Sequence, residues 1–305
     1  MKCLVTGAGG FIGSQLCKAL LKKGHQVIGF DHLGQHPQKW KNLSDLNIKI
    51  FNGDIGEPTD LYPLTQFHYD VIFNLAADSN TLADDPDSIY KTNVQGLRNV
   101  IALTKTNANG GILVHASSAA TYGKKEGVFK ETETQIPANL YGWTKKQNDI
   151  EIMSTVDIPI IGLKYFNVYG PGEELKDNMM SVIGQKINQA LAGEAVTLFK
   201  GGEQRRDWIY IDDVVEMTIM AAKAKTAGVF NCGTGQASSF NDIIECIKSQ
   251  LNGEYDGEVE WIDNPYEDSY QNHTQADMSQ FKEHIGDHKC LTLEEGIRKY
   301  IDAKR

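Results

Sequence analysis

Through the first half of the chain, short apolar or β-branched runs alternate with amphipathic stretches. Residues 2–6, 26–30, 48–51, 70–75, 111–116 and 159–165 each read as a buried strand, because each is a brief apolar run closed by turn-forming residues. Between the first two, Ser14 to Lys23 carries Leu16, Ala19 and Leu20 on one helical face and stops at Gly24, a suitable C-terminal cap. Helical period returns around residues 88–107 and 140–155. Strand–helix alternation of this kind predicts an α/β fold, a Rossmann-type doubly wound parallel sheet covered on both faces.

After Tyr165 the pattern loses its regularity. Residues 179–192 and 213–224 read as helices, and 196–199, 207–211 and 229–231 as short strands. Two further helices, 239–251 and 292–303, open on capping-box pairs, Ser239 with Asp242 and Thr292 with Glu295. No repeat, low-complexity tract or Pro/Gly linker divides the halves. The expected organisation is a doubly wound domain over residues 1–170, to which 207–234 returns, with a smaller C-terminal lobe built from 171–206 and 235–305.

The first strand runs into Gly7-Ala8-Gly9-Gly10-Phe11-Ile12-Gly13, which opens the first helix. Gly7 permits the tight turn, Gly10 lets backbone approach a pyrophosphate, and Gly13 lets helix and sheet pack closely. The helix N-terminus then faces the phosphates with its unpaired N–H groups. Glycines recur in turns everywhere, so the spacing alone is a weak signal; a strand before it and a helix after it strengthen it. Asp31 ends the second strand, where a carboxylate can accept hydrogen bonds from the adenosine ribose. It would also repel a 2′-phosphate, which favours NAD over NADP, although Lys39 and Lys41 in the next loop could reverse that. Asp54 is placed to touch the adenine, with a strand-capping role as a fair competitor.

Composition narrows the partners. The 305 residues are 41% hydrophobic and 23% charged, ordinary for a globular protein, and the net charge of -10 opposes nucleic acid and anionic membrane surfaces. Cys3, Cys17, Cys232, Cys246 and Cys290 are odd in number, scattered and without a CxxC pair, which reads as reduced thiols in a cytoplasmic protein. No signal-peptide core or membrane span is visible. The eight histidines show no ligand spacing, so no metal site is expected.

Tyr141-Gly-Trp-Thr-Lys145 places a phenol and an ammonium one helical turn apart on one face. A nearby ammonium favours phenolate, so the tyrosine pKa is expected to fall and make the group a usable base. A surface pair explains most such spacings. Here, though, Ala116-Ser-Ser-Ala-Ala-Thr-Tyr-Gly123 follows the fifth strand, where ligands of open α/β sheets bind, and Ser118 can hydrogen-bond a substrate oxygen beside Tyr141. Ser117 reads as its structural neighbour.

Together these residues resemble the extended short-chain dehydrogenase/reductase family, also known as NAD-dependent epimerases/dehydratases. The glycine turn, Asp31, Asn74-Leu-Ala-Ala77, Ser118, Tyr141 and Lys145 match in order, followed by Tyr165-Phe-Asn-Val-Tyr-Gly-Pro171, Arg206-Asp-Trp-Ile-Tyr-Ile-Asp212 and Phe230-Asn-Cys-Gly-Thr-Gly235. The resemblance implies a nucleotide-sugar epimerase using tightly bound NAD or NADP. Tyr141 would take the sugar hydroxyl proton as the sugar becomes a ketone, and hydride would return to its opposite face. It implies catalytic roles for Ser118, Tyr141, Lys145 and Lys176, the last matching a second acid–base group in a heptose-epimerising branch; read alone, Lys176 is an ordinary loop lysine. Implied cofactor contacts are Gly7, Gly10, Phe11, Ile12, Gly13, Asp31, Asp54, Ile55, Leu75, Ala76, Ala77, Asn93, Tyr141 and Lys145. Ser118, Asn167, Arg206 and Tyr270 would meet the nucleoside-diphosphate sugar, because a diphosphate suits arginine and amide donors. Arg205 reads as a solvated charge, and Trp208 and Phe199 as core residues.

Family members are usually dimers or larger, so a homo-oligomer is expected. A 4-epimerase or a keto-sugar reductase needs the same groups and stays open. A 4,6-dehydratase usually has an acid pair after its catalytic hydroxyl, where this chain has Ala119-Ala120; a non-catalytic sensor commonly loses the Tyr or Lys that are both present here. Ser269, before Tyr270-Gln271, stands where the heptose branch has a basic residue.

Overall fold

A computed structural model describes residues 1–107, 111–251, 253–255, 258–264 and 271–305, with backbone alone for 177–178. The strands are β1 (Lys2–Thr6), β2 (Gln26–Asp31), β3 (Lys49–Asn52), β4 (Val71–Asn74), β5 (Ile112–Ser118), β6 (Gly127–Phe129), β7 (Ile160–Tyr165), β8 (Asn167–Tyr169), β9 (Val196–Phe199), β10 (Arg205–Tyr210), β11 (Gly228–Cys232), β12 (Ala237–Ser239), β13 (Val259–Ile262) and β14 (His273–Ala276). Seven of them form one parallel sheet in the order β11-β7-β5-β4-β1-β2-β3. Strand order reverses direction between β1 and β4, which opens a crevice at the carboxyl ends of those strands. The expected doubly wound parallel sheet is therefore present.

Period-2 alternation splits the apolar side chains between the two faces. Leu4, Ile72 and Leu113 join helix residues Leu97, Val100 and Ile152 on one side. Cys3, Val5, Phe73 and Val114 join Leu16, Leu20 and Val214 on the other. Burial on both faces explains why these strands read as continuous apolar runs.

Two smaller sheets complete the described chain. One has the order β12-β10-β14-β6 with β8 alongside β10, and the other pairs β13 with β9. Thus β11 enters the large sheet, whereas β10 belongs to a smaller one. Helix boundaries move slightly from expectation, the first helix spanning Phe11–Lys22 and the seventh Ile211–Ala221. Both capping boxes form: Ser239 and Asp242 exchange bonds of 2.7 and 3.0 Å, and Thr292 and Glu295 do likewise.

Candidate active site

Close approach dictates the glycine turn. Gly7 has φ +68°, and a Cβ there would lie 2.7 Å from the Ala76 nitrogen; one on Gly13 would lie 2.0 Å from the Gly7 carbonyl oxygen. The first helix begins at Phe11 with no side-chain cap at Gly10 and no acidic residue in its first turn. By contrast, side chains of Asn139, Ser181 and Thr292 cap three other helices. The uncapped N–H groups, the cradle that excludes side chains and the flanking Leu75 and Ala76 backbone fit a dinucleotide pyrophosphate.

Asp31 is nearly fully buried at the end of β2 and already bonded on both oxygens. Oδ2 accepts the Gly9 N–H at 2.8 Å, while Oδ1 accepts the His32 N–H at 2.7 Å and pairs with Lys39 Nζ at 2.9 Å. Lys41 lies exposed. Three other sequence-based cofactor contacts prove to have firm protein partners. Burial works to raise the Asp54 pKa, but the Gly56 N–H and the Lys91 ammonium hold it below the usual carboxylate value. Ile55 is a core residue beneath Gly96. The Asn93 amide accepts from Asp78 N–H at 2.8 Å and donates to Asp78 O and Thr144 Oγ1 at 2.9 Å each. It sits in a π-helical stretch, Lys91–Gln95, and fastens the loop after β4 to the helix bearing Tyr141.

Ser118 ends β5, and Tyr141 and Lys145 share one face of helix Leu140–Ser154. The structure brings all three together. The Ser118 hydroxyl lies beside the Tyr141 phenol, close enough to favour its charged form, and accepts the Ala120 N–H at 3.1 Å. Lys145 Nζ stands 5.7 Å from the Tyr141 ring centroid and donates to the Ala116 carbonyl at 2.7 Å.

One expectation is corrected here. Burial raises the Tyr141 pKa, with Ser118 opposing, and burial lowers Lys145 to about 8. Desolvation penalises the charged form of each group and sets the direction of both shifts.

Sequence reasoning missed the polar scaffold beneath these groups. Thr6, Asn74, His115 and Asn148, all buried, form a line across β1, β4, β5 and the Tyr141 helix. Thr6 Oγ1 donates to Asn74 Oδ1 at 2.6 Å, and the His115 ring lies 3.1 Å from Asn74 Nδ2 and 3.2 Å from Asn148 Nδ2. Burial pushes the imidazole pKa well down, so His115 is neutral. Beside this line, Asp149 accepts from Ser117 Oγ at 2.6 Å and pairs with buried Lys164, which also donates to Thr121 at 2.7 Å. The available signal was Asp149, one turn beyond Lys145 on the same helix.

Lys176 lies in the turn Glu174–Met179, its ammonium 5.6 Å from the Phe11 ring centroid. Burial lowers its pKa, against Glu173. Lys176 thus reaches the glycine turn but makes no hydrogen bond to Ser118, Tyr141 or Lys145 among the described residues.

Asn167 and Arg206 lie on neighbouring strands, Asn167 opposite Trp208. Asn167 donates to Asp207 O at 3.1 Å, and nearly buried Arg206 donates to Arg205 O at 2.9 Å with its guanidinium over Phe240. Arg205 is exposed, Trp208 is buried in the core, and Phe199 is half-buried. Tyr270 lies outside the described residues.

Comparison with known proteins follows the same outline. Residues 3–233 match the NAD dependent epimerase/dehydratase family. An ADP-L-glycero-D-manno-heptose-6-epimerase of Brachyspira hyodysenteriae is 33% identical, covering 98% of this chain and 96% of that protein. The crystal structure of the Helicobacter pylori ADP-L-glycero-D-manno-heptose-6-epimerase superposes with a TM-score of 0.89 at 33% identity, over 99% of this chain and 95% of that one. A UDP-glucuronic acid 4-epimerase from Bacillus cereus, solved with UDP-glucuronic acid and NAD, gives 0.84 at 30% identity, over 99% and 98%. No helix among the described residues is long and apolar enough to cross a membrane.

Proposed function

The chain belongs to the NAD dependent epimerase/dehydratase family, and we infer that it is a nucleotide-sugar epimerase, an isomerase working through transient oxidation of the sugar. The observation that carries this reading is the convergence of Ser118 and Tyr141 at the crevice, with Lys145 one turn along the same helix. Gly7, Gly10 and Gly13 would admit the pyrophosphate, Leu75, Ala76 and Ala77 would line the crevice, and Asp31 would face the adenosine ribose. When bound, the dinucleotide accepts a hydride from the sugar carbon and returns it.

The chain's own groups do the rest. Ser118 holds the reacting hydroxyl, and Tyr141 takes its proton as the ketone forms. Because burial raises the phenol, Tyr141 begins as a neutral hydroxyl, and creating a base requires the cationic field of Lys145 to outweigh that burial once substrate seals the site. Lys176, an ammonium with a lowered pKa beside the glycine turn, serves as the second acid–base group for the opposite sugar face. Asn167, Arg206 and Tyr270 bind the diphosphate and sugar. Similarity to heptose 6-epimerases favours that substrate class. A 4-epimerase is the second reading, favoured by the similarity to UDP-sugar 4-epimerases.

NAD is the preferred cofactor, since Asp31 would repel a 2′-phosphate even with Lys39 beside it. The protein is proposed to act in the cytoplasm, supported by five free cysteines, and as a homo-oligomer. Trp143, Ile150 and Met153 support the latter, forming an exposed apolar stripe on helix Leu140–Ser154. Residues 1–170 form the proposed cofactor domain, with β11 completing its sheet, and the remainder the substrate lobe. The test is to denature purified protein, identify the released dinucleotide, and screen ADP-, GDP-, UDP- and CDP-sugars for inversion by NMR. Inversion without solvent deuterium at the inverted carbon is expected; deuterium there would contradict hydride return.

A further inference from the structure

Away from the crevice, three side chains from two distant stretches of the chain converge where the C-terminal segment crosses helix Ile211–Ala221. Asp213, His288 and Cys290 each offer one ligand atom, all within 4.8 Å of one another. We propose that these three residues form a divalent-cation site of the zinc type, with water completing a tetrahedron. Histidine spacing along the chain does not reveal this cluster, because Asp213 and His288 become neighbours only through folding.

The donor set is one carboxylate oxygen, one imidazole nitrogen and one sulfur, a combination that suits zinc better than magnesium or calcium. His288 Nε2 now lies 2.8 Å from Asp213 Oδ1. Tetrahedral zinc holds such a pair roughly 3.3 Å apart, so ring and carboxylate need part by only about half an ångström. His288 and Cys290 are half-buried and able to adjust, while Asp213 is held from behind by the Leu291 N–H at 3.0 Å. The Cys290 thiol has a loose partner, the Gly233 carbonyl at 4.0 Å. Burial and then Asp213, Asp207 and Asp287 keep that thiol protonated, against Lys282. A dication among these acids reverses the balance: the thiol binds as thiolate and its proton leaves to solvent. The ion would clamp the segment leading into helix Leu293–Lys304 onto the first turn of helix Ile211–Ala221.

The test uses full-length protein stripped with a chelator and titrated with cobalt and with zinc. One equivalent of cobalt should produce a thiolate-to-cobalt charge-transfer band, and zinc should displace it and raise the thermal midpoint. Cys290→Ser should abolish the band, and both it and His288→Gln should weaken zinc binding at least about tenfold, whereas Cys246→Ser should change neither. Absence of the band in the wild type would overturn the proposal, and so would unchanged zinc affinity in Cys290→Ser.

Discussion

The sheet beneath the crevice and the lobe that follows it handle buried cations differently. Under the crevice, buried Lys164 is paired with Asp149 and half-buried Lys39 with Asp31, while buried Lys145 donates to the Ala116 carbonyl. In the smaller lobe, Lys176 and Lys186 have no ion-pair partner among the described residues; Lys186, on helix Val182–Leu191, donates to Gln189 Oε1 at 3.2 Å. Burial lowers the pKa of both, as it does for Lys164 and Lys145, so the regions differ in pairing and not in the direction of the shift. A buried pair cancels its own charge and fixes the groups around it, whereas an unpaired buried ammonium is costly. Apart from Lys145, the buried ammonium at the proposed reaction centre, the cofactor half is thus built as a finished frame, while the lobe proposed to receive a diphosphate carries positive charge still to be balanced.

Breaking the frame should have the largest effect on stability. Asp149→Asn leaves Lys164 buried without its carboxylate and should lower unfolding stability by about 3–5 kcal/mol in urea titration. A loss under 1 kcal/mol would mean that the pair is dispensable. Lys176→Ala should cut turnover by about a hundredfold, within the range for one acid–base group, while the dinucleotide stays bound; unchanged turnover would leave Tyr141 serving both sugar faces. Asp31→Ala should shift the NAD/NADP affinity ratio about tenfold towards NADP by removing the charge that repels a 2′-phosphate.

The smallest effect has the opposite sign to the first. Lys186→Met should stabilise the protein at pH 7, by about 1 kcal/mol. The folded-state pKa of Lys186 lies below its ordinary 10.5, so its penalty is complete when both folded and unfolded states are protonated. It shrinks as the pH passes the folded value towards 10.5, and the advantage of the variant should shrink with it. Destabilisation at pH 7 would show that Lys186 is compensated after all.

The same two regions differ in how far the sequence reveals them. The glycine turn is seven contiguous residues, Asp31 closes one strand, and Tyr141 and Lys145 are a helical turn apart, so local pattern suffices. The line from Thr6 through Asn74 and His115 to Asn148 joins four separate elements and has no spacing to announce it. Asp54, Ile55 and Asn93 stand near the crevice in sequence order, yet their protein partners show only after folding. Spacing gives proximity to an ammonium but not the depth of burial, which sets the direction of the Tyr141 shift. In the smaller lobe, helices with capping boxes were evident, whereas the pairing of β10 with β8 and β14 depends on contacts distant along the chain.

The central claim is that Tyr141 carries proton transfer in a sugar-nucleotide inversion. It is tested most directly by comparing wild type and Tyr141→Phe on whichever of the ADP-, GDP-, UDP- and CDP-sugars the wild type inverts, with bound dinucleotide quantified in both. The prediction is retained dinucleotide and a turnover loss of roughly 10²–10⁴ in the variant. Equal inversion rates for the two proteins would contradict it.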